Sequence, residues 1–470
     1  MNPTCKPLVD HFRCPESLVP VQFDPNCSPA AGYFRFGDHV TCYGSVGTNG
    51  STARNPGDML GDALDDVEIG TQTLKLPFDP SQIIDNLRLE LYPVAAESKA
   101  ALSKPQAIRS LYYALRPLMP VAIRKWAQRA YLSGWQSLPF PNWPVDCTVE
   151  LILKQLFILC LKTQQIDSIP FIWFWPHGKK SCVVITHDVE TAAGRDFTDK
   201  LMDLDDRHGI KSSFQIIPQD RYEVSPAYLS EIRNRGFEIN VHDLMHDGSL
   251  FRDHGDFLRQ AHEINRFGRQ WGAAGFRSGA LYRVQQWFDA LDFEYDMSVP
   301  NVASLEPQRG GCCTVFPYFI GDLLEIPLTA TQDYSLFHVL NDYSTAVWQE
   351  QMDCIREHHG LISFIVHPDY IIDARPRQSY MRLLGHIDEV REPQELWVTL
   401  PGELNRWWRD RQQTTLVKSG GQWTIEGPAK RDARLAFAHV EKDQLVFEIA
   451  SPEPQHDSCP AIDTCTEVSR

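Results

Sequence analysis

From Cys182 onward the chain alternates short β-branched and aromatic runs with stretches of helical periodicity, and this alternation constrains the fold more than any other feature. Strands separated by helices build a parallel sheet, because each crossover must return the chain to the same end of the sheet. The expected strands are Cys182 to His187, Ser212 to Ile217, Phe237 to His242, Ala273 to Arg277, Phe293 to Ser298, Leu323 to Leu328 and Leu361 to His367. Between them Phe197, Leu201, Leu204 and His208 follow helical spacing, as do Phe257, Ala261, Ile264 and Gly268. Gly236 and Gly360 stand where a helix would stop before the next strand. Repeated units of this kind favour a curled barrel over an open sheet.

The flanking regions read differently. Residues 1–32 carry Pro, Cys and Asn without periodicity and read as a loosely packed N-terminal arm. Residues 33–178 are expected to form an accessory domain, with a Gly/Asn/Ser loop at Gly44 to Gly57 and helices over Gln106 to Leu132 and Val149 to Thr163. The aromatic run Phe171 to Trp175 before Pro176 reads as the core of a domain interface, with a sugar-stacking surface as the alternative. The barrel spans 179–408. After Trp408 the period falls to two, and 409–455 reads as a small antiparallel appendage turning at Gly420 and Gly421, followed by a disordered tail at 456–470.

Composition narrows the function classes. With 43% hydrophobic and 11% aromatic residues the chain can bury a large core. Its net charge of -16 disfavours nucleic acid and anionic membranes as partners. The opening residues lack the apolar run of a secretory signal, and Val149 to Leu161 is too short and too polar to span a bilayer, so a cytoplasmic protein is expected. In that setting the twelve cysteines, the adjacent Cys312 and Cys313 included, read as buried thiols. Nothing in the sequence fixes an oligomeric state.

Chemically capable residues gather at the C-terminal ends of the expected strands, where parallel barrels carry their sites. Strand one ends in Thr186-His187-Asp188-Val189-Glu190, strand three in His242 with His246 four residues on, strand four in Arg277, strand five reaches Asp296, and strand seven ends in His367-Pro368. Two histidines four apart on a helical turn can share a divalent metal, and a carboxylate from another strand end leaves positions open for water and substrate. Such an N,N,O set favours zinc and admits cobalt, manganese, nickel or ferrous iron. Singly, each residue also has a structural reading: Arg277 and Asp296 as an ion pair, His367 as a satisfied core histidine. Gly44, Gly47 and Gly50 lack the following Lys-Ser/Thr of a phosphate loop, and Ser335 and Ser363 lack a nucleophile elbow.

Over about Lys179 to Leu404 the sequence resembles the polysaccharide deacetylases of carbohydrate esterase family 4, the group with the NodB homology domain. The family's motifs run Thr-Phe-Asp-Asp-Gly, His-(Ser/Thr)-x-x-His, an Arg motif, an Asp motif and a final His. Thr186 to Glu190, His242 and His246, Arg277, Asp296 and His367 follow in that order. The departures are Val189 at the family's ligand Asp, Asp243 at its Ser or Thr, and Arg277-Ser278-Gly279 without the usual Pro.

The resemblance implies a distorted (β/α)7 barrel and a metal-dependent hydrolase that removes an acyl group from an N-acylated amino sugar. In that scheme His242 and His246 hold the metal with one carboxylate of the first strand end, and the other carboxylate is the base. Direct alignment makes Asp188 the base and Glu190 the ligand. Arg277 would orient the base, His367 would protonate the departing amine, and Asp296 would keep His367 cationic. Two alternatives stay open: a non-catalytic carbohydrate-binding protein on the same barrel, and a hydrolase of cyclic amides or ureides.

Overall fold

The computed structural model describes residues 5–23, 30–47, 50–94, 132, 134–391 and 395–450. The expected helix over Gln106 to Leu132, apart from Leu132 itself, and the tail at 456–470 lie outside them.

All seven expected strands form: β1 (Ser181–Val189), β2 (Ser213–Ile216), β3 (Glu238–His242), β4 (Gly275–Arg277), β5 (Tyr295–Asp296), β6 (Leu323–Glu325) and β7 (Leu361–Ile365). They pair in parallel in the order β6-β5-β4-β3-β2-β1-β7, within a nine-stranded sheet completed by Tyr318–Ile320 antiparallel to β6 and Leu396–Val398 beside the start of β1. The helices include α1 (Ala192–Arg207), α2 (Pro226–Asn234), α3 (His254–Trp271), α4 (Ala346–Glu357) and α5 (Ala374–Arg391). Thr191, Ser225 and Asp253 cap α1, α2 and α3 through their side chains, and Gly272 ends α3 in the left-handed region that only glycine enters without cost. Every residue of β1 is buried, as a central parallel strand covered on both faces requires.

The sheet curls until its two ends approach. The residues after β6 bridge the gap: Ala330 N–H donates to Ser363 O (3.1 Å), and the Thr329 hydroxyl donates to Leu361 O (2.8 Å) while accepting Ser363 N–H (2.9 Å). The fold is thus a distorted parallel barrel of alternating strands and helices, as expected, whose seam is bridged by the Ala330 backbone and the Thr329 side chain.

The flanking regions are more tightly integrated than the sequence suggests. The supposed loose arm contains a helix, Lys6–Phe12, whose Phe12 stacks on Phe157 at 4.3 Å and is 1% exposed. Its helical spacing is hard to see because only seven residues are involved. The C-terminal strand Leu435–Glu441 pairs antiparallel with Ser168–Ile172, just ahead of the barrel, so this sheet draws together segments distant in the sequence. Arg411, buried on the helix Pro401–Gln412, donates to the carbonyls of His11, Ile172 and Trp173, tying that helix to the N-terminal helix and to the strand Ser168–Ile172. The aromatic run is core: Trp173 and Trp175 are buried, which removes the sugar-stacking alternative. Cys312 and Cys313 are buried thiols, as expected. No helix among the described residues is long and apolar enough to cross a membrane.

Candidate metal centre

The site begins with the pleat of β1. Alternate residues share a face, so Asp188 and Glu190 project together into the barrel mouth, and Val189 is buried in the packing. β3 delivers His242 to the same mouth. The expected helical turn from His242 to His246 does not form: Asp243 (φ 56°) and His246 (φ 55°) are both left-handed. The Asp243 carboxylate is the physical reason, since it accepts the N–H of Leu244 (2.7 Å) and of Gly279 (3.2 Å) and so competes with helical bonds. Gly279 permits that approach, because a Cβ there would lie 2.3 Å from Asp243 Oδ2 and 2.9 Å from the His246 ring. The two histidines still converge, with ring centroids 4.9 Å apart.

Glu190, His242 and His246 are the one group of three acidic, His or Cys side chains among the described residues whose ligand atoms all lie within 4.8 Å of each other. His246 Nε2 is 2.9 Å from Glu190 Oε1 but out of line for a hydrogen bond, and His242 Nε2 is 3.9 Å from the same oxygen. Both Nε2 atoms are buried without a hydrogen-bond partner. Leaving such atoms bare costs on the order of 1–3 kcal/mol each, which a cation between them would remove. His242 Nδ1 lies 3.1 Å from the Arg277 carbonyl, an acceptor that places the proton there and leaves Nε2 a lone pair to offer. Two imidazoles and a carboxylate fit a divalent transition ion.

Asp188 stands beside this group with a different partner. Its Oδ1 takes Arg277 Nη1 at 2.6 Å, and its Oδ2 is 3.7 Å from His242 Nε2. Burial works to raise its pKa, but Arg277, His242 and His367 outweigh it and hold Asp188 below the ordinary carboxylate range. Glu190 is only partly buried, and His246, His242 and His367 hold it well below that range against the cost of desolvation. Burial opposes charging His246 too, and Glu190 overrides it to raise the ring above its usual value. Arg277 is itself fixed by the Thr186 hydroxyl (2.7 Å) and the Met297 carbonyl (2.9 Å).

His367, at the end of β7, brings Nε2 to 3.4 Å from Glu190 Oε1. Its carboxylate partner is not the expected Asp296. Asp333 accepts both the ring Nδ1–H at 2.6 Å and the backbone N–H at 2.8 Å, and with Glu190 it raises His367 well above its ordinary value against the cost of burial. Asp296 instead accepts the Ser298 hydroxyl (2.8 Å) and N–H (2.9 Å) and lies in register with Phe276 and Glu325, on the opposite face from Arg277. Nor does it pair with Arg277. Asp333 follows β6 by eight residues, and its place in the loop after the sixth strand, at the same rim of the barrel, is the signal that the sequence carries for it.

No family model matches the chain, and neither does any curated protein. Solved structures similar to it include a protein described as a polysaccharide deacetylase from Mycobacterium smegmatis, 16% identical with a TM-score of 0.43, covering 53% of this chain and 98% of that one. PuuE allantoinase is 13% identical with a TM-score of 0.39 over 50% of this chain and 92% of its own. A protein described as a polysaccharide deacetylase from Pseudomonas aeruginosa is 14% identical with a TM-score of 0.39, covering 50% and 93%.

Proposed function

We propose that this chain is a metal-dependent hydrolase that removes an acyl group, acetyl first among them, from an N-acylated amino sugar. The observation that carries the reading is the pair of buried, unpartnered Nε2 atoms of His242 and His246 facing Glu190, with the Asp188–Arg277 pair beside them. A divalent cation held by Glu190, His242 and His246 would polarise the acyl carbonyl and acidify a water.

The protein's own groups divide the remaining work. Asp188, kept ionised and aimed by Arg277, accepts the proton of the attacking water. His367, charged beside Asp333, gives a proton to the departing sugar amine. Glu190 is the more exposed of the two carboxylates, its side chain 21% exposed against 5% for Asp188, and so stands nearer to solvent and incoming substrate. Such a substrate is neutral and hydroxylated, which suits a chain of net charge -16 better than a polyanion does.

The test is to purify the chain without chelators, measure bound metal by plasma mass spectrometry, and assay acetate release from N-acetylglucosamine oligomers. About one ion per chain with acetate release is expected. Protein that holds no metal after reconstitution with zinc or cobalt, and releases no acetate, would overturn the reading.

A further inference from the structure

Behind the first strand end lies a ring that no step of the proposed reaction uses. His187 is fully buried on the face of β1 opposite to Asp188. Each of its ring nitrogens meets an oxygen: Nδ1 is 2.9 Å from the Val366 carbonyl and Nε2 is 3.1 Å from Asp205 Oδ2. Asp205, on α1, also accepts the hydroxyls of Ser212 (2.7 Å) and of Tyr380 on α5 (2.5 Å). The carboxylate is thus held by several donors and cannot swing away without stranding buried groups.

The grip falls one residue before the proposed acid. Val366 N–H donates to Thr186 O at 3.0 Å while its carbonyl faces His187, so both backbone groups of Val366 are taken by the end of β1. From the far side Asp333 takes the backbone N–H and the ring Nδ1–H of His367. His367 therefore sits between two anchors, one acting on its ring and the other on the peptide unit that precedes it.

We infer that His187 is a positioning residue, which sets the height and angle of His367 through the Val366 carbonyl. This rests on the reading of His367 as the acid that protonates the leaving amine. A phenyl ring would fill nearly the same volume, so what the imidazole contributes is the hydrogen-bonded link from α1 through β1 to the end of β7.

The experiment compares His187→Phe with His187→Gln, whose side-chain amide can still donate to Val366 O. The first readout is the downfield proton resonance of the short His367–Asp333 hydrogen bond, identified by its loss in Asp333→Asn. His187→Phe should displace or broaden this signal at unchanged metal content, and His187→Gln should restore part of it. The second readout is kinetic. On N-acetylchitotetraose, kcat should fall about tenfold at constant KM, while 4-nitrophenyl acetate, whose leaving group needs no proton, should lose less than about twofold. In a His367→Ala background His187→Phe should cost nothing further. An unmoved resonance, or equal losses on amide and ester, would overturn the inference. If the wild-type chain hydrolyses neither probe, the proposed function fails, and the resonance alone still decides whether His187 positions His367.

Discussion

Two aspartates at strand ends, Asp188 on β1 and Asp296 on β5, are both buried, yet only Asp188 belongs to the site. The difference is the parity of the pleat. Asp188 is in register with Gln215, which is in register with Asn240, two residues before His242 on the same face. Asp296 is in register with Phe276, and Phe276 with Val241, so one residue of offset turns it away from His242 and Arg277. Their electrostatics diverge accordingly. Arg277 at 2.6 Å keeps Asp188 below the ordinary range, whereas burial pushes Asp296 up despite the two hydrogen bonds from Ser298. A buried carboxylate stays ionised where a neighbouring cation offsets the cost of its burial.

Substitution tests that comparison directly. The largest effect is expected for Asp188→Asn, which keeps the shape and removes the proposed base: turnover should fall by a factor of about 10² to 10⁴ at unchanged metal content, read from acetate release and metal analysis. Next in size is Asp333→Asn. It should lower turnover roughly 10- to 100-fold, because His367 loses the group that orients and charges it. Asp296→Asn should change turnover by less than about threefold and appear mainly as a stability loss of about 1 kcal/mol in denaturant unfolding, since its partners are Ser298 and the strand beside it. If Asp296→Asn and Asp333→Asn instead matched in their kinetic effect, the face assignment would be wrong.

How much of this was legible in the sequence follows the same logic. The seven strands and the alternation of Asp188 and Glu190 around a buried Val189 are set by local period and visible in a linear reading, whereas the meeting of both with His242, His246, Arg277 and His367 is legible only through their shared place at strand ends and the order of their motifs. The sequence does not show which face Asp296 takes, because parity across a parallel sheet depends on register with neighbouring strands and β5 is only two residues long. The loop holding His246 hides its left-handed residues because a capping contact from Asp243 to Gly279, 36 residues away, decides its shape. The packed helix Lys6–Phe12 owes its order to distant partners, Phe157 and Arg411 among them. It offers the smallest prediction in functional terms: Phe12→Ala should cost about 3–5 kcal/mol of stability while leaving acetate release by the folded protein unchanged.

The central claim is that the two carboxylates of the first strand end have separate duties, Glu190 binding metal and Asp188 accepting a proton. Metal content per chain, measured side by side for the wild type, Glu190→Ala and Asp188→Asn, tests it most directly. The account predicts about one ion in the wild type and in Asp188→Asn and a trace in Glu190→Ala, because removing Glu190 leaves only two histidine ligands. Full metal in Glu190→Ala together with its loss in Asp188→Asn would contradict the account and exchange the two roles.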